Sequence, residues 1–368
     1  MKFIYYIITI FIMKTTLIID GNWLLIGRAF VMDKCFLKDN TTEMKEEGED
    51  RLTNLLASSV SVVLNRFKDT INNILLVSDG KSWRKKLEKP TCFQEDYKGN
   101  RDLEVEYDWD YIFGALDSLC DRFKKLDITT SHHADAEGDD LVYYWSRRLN
   151  REGINAMIWS SDNDLKQLIQ VDNGCFTCWY NDRNGLFLHN DLKEKVVDDM
   201  DFFMQPMNTN PLLERIKMQA KDVHYINPDE IVMEKIVCGD SGDNIRSLVR
   251  VIKGGRKYGV GETDWKKIKD ELNIEKLGDF YDKKEQVINK IANLKKFQGL
   301  VSKQDLEMMW DYNIKLVWLN EDVIPEHIIQ DMNKEEYKEF DVSEAYNNYK
   351  IFAPQEENNI EKLFEEVF

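Results

Sequence analysis

Three short apolar runs in the first half of the chain share one shape. "TLIIDGN" leads into Asp20, "ILLVSDG" into Asp79, and "AMIWSSDND" into Asp162 and Asp164. Continuous apolar runs of this length, separated by stretches of helical period, predict buried parallel strands of an α/β sheet. The intervening "DWDYIFGALDSLCDRFKKL" places Ile112, Leu116, Leu119, Phe123 and Leu126 on one face and predicts an amphipathic helix. In such sheets ligands bind beyond the carboxyl ends of the strands. Asp20, Asp79, Asp162 and Asp164 are therefore expected along one edge. Singly, each also suits a turn or a helix cap; it is the repetition after three strands that points to a shared site.

A second acidic group opens a helix. In "AEGDDLVYYW", Leu141, Val142 and Trp145 continue a helical pattern whose first turn carries Glu137, Asp139 and Asp140. The helix dipole favours one or two acids there. Three repel one another once partly buried, since two carboxylates about 4 Å apart cost about 4 kcal/mol at an effective dielectric of 20. Farther on, "NPDEIVMEKIVCGDSGDNI" reads as an Asn227 cap, Pro228 in the first turn and a helix stopping at Gly239, with Asp240 and Asp243 beyond it. Strand and helix alternation gives way near residue 226 to charged helical segments.

Composition narrows the class. The chain has 368 residues, 43% hydrophobic and 11% aromatic, which suits one large or two ordinary domains. A net charge of -17 excludes a uniformly basic binder of nucleic acid, so any phosphate contact is local. Two segments are locally basic: "KSWRKKLEKPTCFQEDYKGNR", with Arg84, Lys85, Lys98 and Arg101, and "RSLVRVIKGGRKYGVGETDWKKIK", with Arg246, Arg250, Lys253, Arg256 and Lys257. The first interleaves cations with aromatics, as single-strand binders do; a merely solvated helix has the same charges. Of six cysteines only "CFTC" has ligand-like spacing, with no second pair to complete a zinc site. It reads as an alternating strand in a reduced, cytoplasmic protein. The apolar start "MKFIYYIITIFIMK" is too short to span a bilayer and lacks a small-residue cleavage site. Residues 1–13 are taken as an extension, with Met13 a possible true start.

Six motifs, "LIIDGN", "VSDG", "YKGNR", "AEGDD", "SSDNDLKQL" and "GDSGDNI", occur in an order that resembles the flap endonuclease superfamily of 5′-nucleases. The likeness is to its phage branch, which includes the ribonuclease H type 5′-to-3′ exonucleases of T-even bacteriophages. It covers Thr15 to Trp265, with a weaker echo in "DYNIKLVWLNEDVIP". The resemblance implies a PIN-like, mostly parallel sheet with flanking helices and a helical arch over about 81–127 within an α/β nuclease domain at 14–225. It also implies a helical DNA-binding domain at 226–345 with a helix-three-turn-helix-like element, and a tail at 346–368. The implied metal ligands are Asp20, Asp79, Glu137, Asp139, Asp140, Asp162, Asp164, Asp240 and Asp243, holding two Mg2+ ions, with Mn2+ able to substitute. The first five fall mainly to one ion and the last four to the other. This oxygen-only set suits such hard cations rather than zinc.

The resemblance further implies that Asp79 and Asp139 serve catalysis, that Tyr97 stacks on a terminal base, and that Lys98 and Arg101 act at the scissile phosphate. Arg84, Lys85, Arg246, Lys253, Arg256 and Lys257 would contact the nucleic-acid backbone. Here the chain departs from many relatives: Arg246-Ser247 and a longer loop stand where they have Pro-Gly and the compact turn of the family's potassium site. Ile360, Leu363, Phe364 and Phe368 in the tail resemble a peptide that docks on a sliding clamp, although the same pattern suits a helix packing on its own domain. The implied activity is a metal-dependent 5′-to-3′ exonuclease and flap endonuclease, acting on duplex DNA or RNA-DNA hybrid as a monomer during phage replication, with a single-strand binding protein as a further partner. A PIN-fold single-strand ribonuclease and a non-catalytic binder of branched nucleic acid are the alternatives.

Overall fold

Strand β1, Thr15–Asp20, is buried along its whole length and lies at the middle of an eight-stranded sheet. A computed structural model describes residues 14–91, 96–100, 106–172, 174–193, 211–343 and 352. The other strands of this sheet are β2 (Asn73–Ser78), β3 (Thr129–His132), β4 (Asn155–Trp159), β5 (Gln170–Asp172), β6 (Cys175–Asn181), β7 (Gly185–His189) and β8 (Val223–Ile226). They are ordered β3-β2-β1-β4-β6-β7-β8, with β5 also on β6. The β1, β2, β3, β4 and β6 strands are mutually parallel, and β7 runs antiparallel to β6. The chain thus leaves β1 toward β2 and β3 and returns to β4 on the opposite side. That reversal of strand order makes the carboxyl ends of β1 and β4 the switch point at which open α/β sheets take their ligands.

Helices α1 (Gly21–Ala29), α2 (Thr42–Arg66), α3 (Trp109–Lys125) and α4 (Gly138–Arg151) carry the connections. The apolar face foreseen for α3 is buried: Ile112, Leu116, Leu119 and Phe123 are at most 3% exposed. A short helix α5, Pro211–Gln219, precedes β8. The residues after 330 return to this unit. The Tyr337 hydroxyl lies 2.6 Å from Thr16 Oγ1 and accepts from Asn73 Nδ2 at 2.7 Å, so the segment seals the amino-terminal ends of β1 and β2.

The chain divides into two units by its contacts: Met1–Gly80, Glu104–Ile226 and Gln330–Phe368 in one, Lys81–Leu103 and Asn227–Ile329 in the other. In the second unit α6, Pro228–Cys238, begins where the sequence indicates, with Asn227 Oδ1 accepting from Asp229 N at 3.2 Å. A two-stranded pair, β9 (Gly239–Asp240) with β10 (Ile245–Arg246), follows. Next comes an antiparallel hairpin, β11 (Arg250–Lys253) with β12 (Arg256–Gly259). Helices α7 (Glu262–Leu272), α8 (Leu277–Asp282), α9 (Lys284–Ala292), α10 (Lys303–Val317) and α11 (Glu326–Met332) follow among the described residues. Trp265, Phe280 and Trp310 form the aromatic centre, the last two stacked at 4.2 Å. The segment from Arg246 on, expected to resemble a helix-three-turn-helix, holds the β11–β12 hairpin ahead of α7.

The arch segment 81–127 is shared. Its described part up to 100 holds only a 3-10 turn, Trp83–Lys86, whereas α3 packs on α2 in the first unit. "CFTCWY" is strand β6, and Cys35, Cys120, Cys175, Cys178 and Cys238 are free thiols. Among the described residues no helix is long and apolar enough to cross a membrane.

Candidate active site

The last residue of β1 is also the cap of α1. Asp20 Oδ1 accepts from Trp23 N at 3.0 Å, and Oδ2 accepts from Ser160 Oγ at 2.7 Å. Only 8% exposed, the carboxyl is pushed up from 3.8 to about 7. Burial is the main cause; the two hydrogen bonds oppose it, and the charges of Asp79 and Asp162 add to it. The strand-end acids after β2 and β4 thus both act on the one that ends β1.

Ser160 connects two of them. While donating to Asp20, its hydroxyl accepts from Asp162 N at 2.9 Å, and Asp162 Oδ1 in turn accepts from Asp164 N at 2.9 Å. The residues after β4 therefore turn back toward β1. Asp79, just past β2, is oriented from two sides: its N–H donates to Asn22 Oδ1 at 2.8 Å, and its Oδ1 accepts from Gly138 N at 2.5 Å. That second bond brings the start of α4 onto the same edge. A Cβ on Gly138 would lie 2.7 Å from Asp79 Oδ1, so the approach needs glycine. Behind it, Asp140 Oδ2 accepts from Glu137 N at 3.2 Å, one half of a capping box. Glu137 and Asp140 are buried, and Asp139 is half-buried.

The seven acids of the first unit share an edge without forming a ready cage. Among the described residues no three Asp, Glu, His or Cys side chains converge closely enough to hold an ion as they stand. Backbone N–H groups and Ser160 hold several of their oxygens, which spaces the carboxylates. Sequence reasoning missed Ser160 and Asn22. For Ser160 the signal was present in "SSDND", a hydroxyl two residues before an acid, the spacing of a local side-chain turn.

In the second unit Asp240 and Asp243 have cationic partners. Lys235 Nζ bonds Asp240 Oδ2 at 2.5 Å, and Lys98 Nζ lies 3.8 Å from Asp243 Oδ2. Burial raises the Asp240 carboxyl, but Lys235 and the N–H groups of Gly242 and Asp243 outweigh it and leave it below its usual range. Lys98 has a left-handed backbone, φ 54°, and its N–H donates to Asp243 O at 2.8 Å. A non-glycine residue held there is strained and fixed by its surroundings.

Two of the residues expected on the nucleic-acid surface are core residues. Tyr97 is 6% exposed within the apolar cluster of the second unit, its hydroxyl 3.3 Å from Asp243 Oδ2, so its ring is not presented for stacking on a base. Arg84 is 2% exposed, with its guanidinium 4.5 Å from the centre of the Trp83 ring. Both were read from a motif and a charge run, which carry no information on burial. Lys85, Lys253, Arg256 and Lys257 are exposed, and Arg246 is half-buried. Arg101, Ile360, Leu363, Phe364 and Phe368 lie outside the described residues.

Residues 15–197 match the family model of the 5′-3′ exonuclease N-terminal resolvase-like domain. The amino-terminal part of the chain, with the ordered acids at the carboxyl ends of β1, β2 and β4, thus carries the N-terminal resolvase-like domain of 5′-3′ exonucleases. It is 22% identical over 241 residues to a 5′-3′ exonuclease of Mycoplasmopsis pulmonis (strain UAB CTIP), an alignment covering 66% of this chain and 64% of that protein. The chain thus spans less than two thirds of that curated relative. Among solved structures, a bacteriophage T5 protein co-crystallised with metal ions matches with a TM-score of 0.50 at 16% identity, covering 92% of this chain and 100% of the other. The T5 5′-exonuclease with bound zinc gives a TM-score of 0.50 at 16% identity over 87% and 99%. At this identity these structures establish the fold.

Proposed function

We propose that the chain is a divalent-metal-dependent phosphodiesterase that acts at 5′ ends, as exonuclease and flap endonuclease, on duplex DNA and RNA-DNA hybrid, with primer and flap removal in phage replication as its role. One observation carries the reading: Asp20, buried at the end of β1, is bonded through Ser160 to the turn that carries Asp162, while Asp79 at the end of β2 is bonded by the start of α4. The residues fit hard divalent cations, because every candidate ligand on this edge is an oxygen donor and the buried acid favours neutralisation. Asp20, Asp79, Glu137, Asp139, Asp140, Asp162 and Asp164 are the side chains that would hold them. Two bound Mg2+ or Mn2+ ions would supply an activated water there and neutralise charge on the phosphate.

The protein's own groups orient that chemistry. Ser160 fixes the distance between the ends of β1 and β4 through its bonds to Asp20 and Asp162. Asn22 holds the Asp79 backbone and Gly138 N aims its carboxylate. The α4 amino terminus, with its capping acids, presents a positive dipole end at the same edge, favourable to phosphate oxygens. Lys98 supplies a positive charge for the phosphate as its own charge develops. Lys98→Ala is expected to lower the single-turnover cleavage rate about a hundredfold with much smaller loss of affinity; equal loss of both would show a binding role only.

A 5′-labelled primer-template incubated with Mg2+ and with EDTA tests the whole proposal. Short 5′ products that appear only with Mg2+ are expected. Binding without metal-dependent product would favour the branched nucleic-acid binder, and equal cutting of unpaired RNA the single-strand ribonuclease.

A further inference from the structure

The residues that end β6 reach the same edge as the acids without being among them. Strand β4 pairs in parallel with β6 as far as Trp159 beside Tyr180. Beyond that pair Ser160 N donates to Tyr180 O at 3.2 Å, but Ser160 O accepts from a side chain, the Nδ2 of Asn181, at 3.2 Å. Both residues are buried, Ser160 at 0% and Asn181 at 5% exposure. The other end of the Asn181 amide is engaged by its own turn, where Oδ1 accepts from Arg183 N and Asn184 N at 3.0 Å each. The amide thus ties the turn between β6 and β7 to one peptide at the end of β4.

The next residue holds the neighbour of Ser160. Asp182 Oδ2 accepts from Trp159 Nε1 at 3.1 Å, and its Oδ1 lies 3.8 Å from Arg66 Nη1. Asp182 follows its strand as Asp79 follows β2, yet its carboxylate is committed to an indole and a guanidinium and serves the scaffold. Consecutive residues of β6's end therefore hold consecutive residues of β4's end. What Ser160 carries gives this grip its consequence: its hydroxyl donates to Asp20 Oδ2 at 2.7 Å and accepts from Asp162 N at 2.9 Å. Only one torsion separates that hydroxyl oxygen from the backbone, so its position follows the peptide that Asn181 holds.

We propose that Asn181 is a positioning residue of the metal-binding edge, which sets the separation of Asp20 and Asp162 by fixing the Ser160 carbonyl. This deepens the nuclease reading and rests on it for the role of those two acids. Two variants isolate the bond. Asn181→Asp keeps an acceptor for Arg183 N and Asn184 N but sets an oxygen against Ser160 O. Asn181→Ser keeps a hydroxyl able to bond its own turn and ends short of Ser160. Thermal melts in EDTA fix a temperature at which each variant is folded, and Mn2+ binding to the metal-free full chain is then read by electron paramagnetic resonance. Affinity is expected to fall about tenfold in both. The aspartate result is diagnostic, because an added negative charge would by itself tighten the hold on a cation. In a Ser160→Ala background either change should have almost no further effect, since both act through one hydroxyl, whereas a residue that only stabilises the fold would add its loss in full. Parental Mn2+ affinity in either variant, or full additivity with Ser160→Ala, overturns the role of Asn181. A parent that binds Mn2+ and shows the coupling but cuts no labelled substrate in Mg2+ overturns the nuclease reading and leaves the positioning role standing.

Discussion

Asp20→Asn should abolish cleavage while making the metal-free protein more stable. The amide keeps the size of the carboxyl and can still accept from Trp23 N, but carries no charge to hold a cation. Loss of a negative group at the end of β1 is expected to lower the rate on the order of a thousandfold, corresponding to about 4 kcal/mol of transition-state free energy. Stability moves the other way. A carboxyl raised from 3.8 to about 7 is favoured in its protonated form by the fold. Its contribution is fully present below pH 3.8, declines as the pH rises between 3.8 and about 7, and is lost above that range. In EDTA the parent should therefore lose, on the order of, 4 kcal/mol across that window from this group.

The asparagine variant has no such titration. Thermal melts in EDTA at pH 8 should place it about 5 °C or more above the parent, and the gap should close toward pH 4. Mg2+ should raise the parent's melting temperature at pH 8 more than the variant's, because only the parent has the buried charge to neutralise. A variant that melts below the parent in EDTA at pH 8, or that retains most of the cleavage rate, would show that Asp20 is an ordinary helix cap.

The acids at strand ends were legible in the sequence because three strands repeat one pattern, and the rule for ligand sites in α/β sheets then places them together. Asn227 and Pro228 likewise announced the start of α6 through local chemistry alone. Burial at the second unit was not legible. Tyr97 and Arg84 lie in a segment rich in charge, yet both are buried, Tyr97 within an apolar cluster whose other members are far away in sequence. The departure of 81–103 from the sheet unit, and the return of 330–343 to it, also depend on distant partners such as Thr16 and Asn73 that leave no local mark. The β11–β12 hairpin did leave one. Gly254 and Gly255 between Ile252 and Tyr258 are a hairpin signal.

Gly138→Ala should damage the site while leaving the fold nearly untouched. Gly138 opens α4, and its N–H bonds the Asp79 carboxylate at the contact that joins helix to strand end. The new methyl would lie 2.7 Å from Asp79 Oδ1 and 3.9 Å from Val77 Cγ2. The first distance is too short, but what it meets is the end of a side chain, which can rotate away. The carboxylate then loses its bond to Gly138 N and its aim. Alanine meanwhile restricts the unfolded chain and favours helix by up to about 1 kcal/mol relative to glycine, which offsets the strain. Melting temperature is expected to change little, and the metal-dependent cleavage rate to fall about a hundredfold. Gly27→Ala is the matched control: it lies in α1 with nothing within 4 Å of an added Cβ, so it should keep the parental rate and gain a little stability. If Gly138→Ala cuts as fast as Gly27→Ala, the orientation of Asp79 by the start of α4 has no part in catalysis.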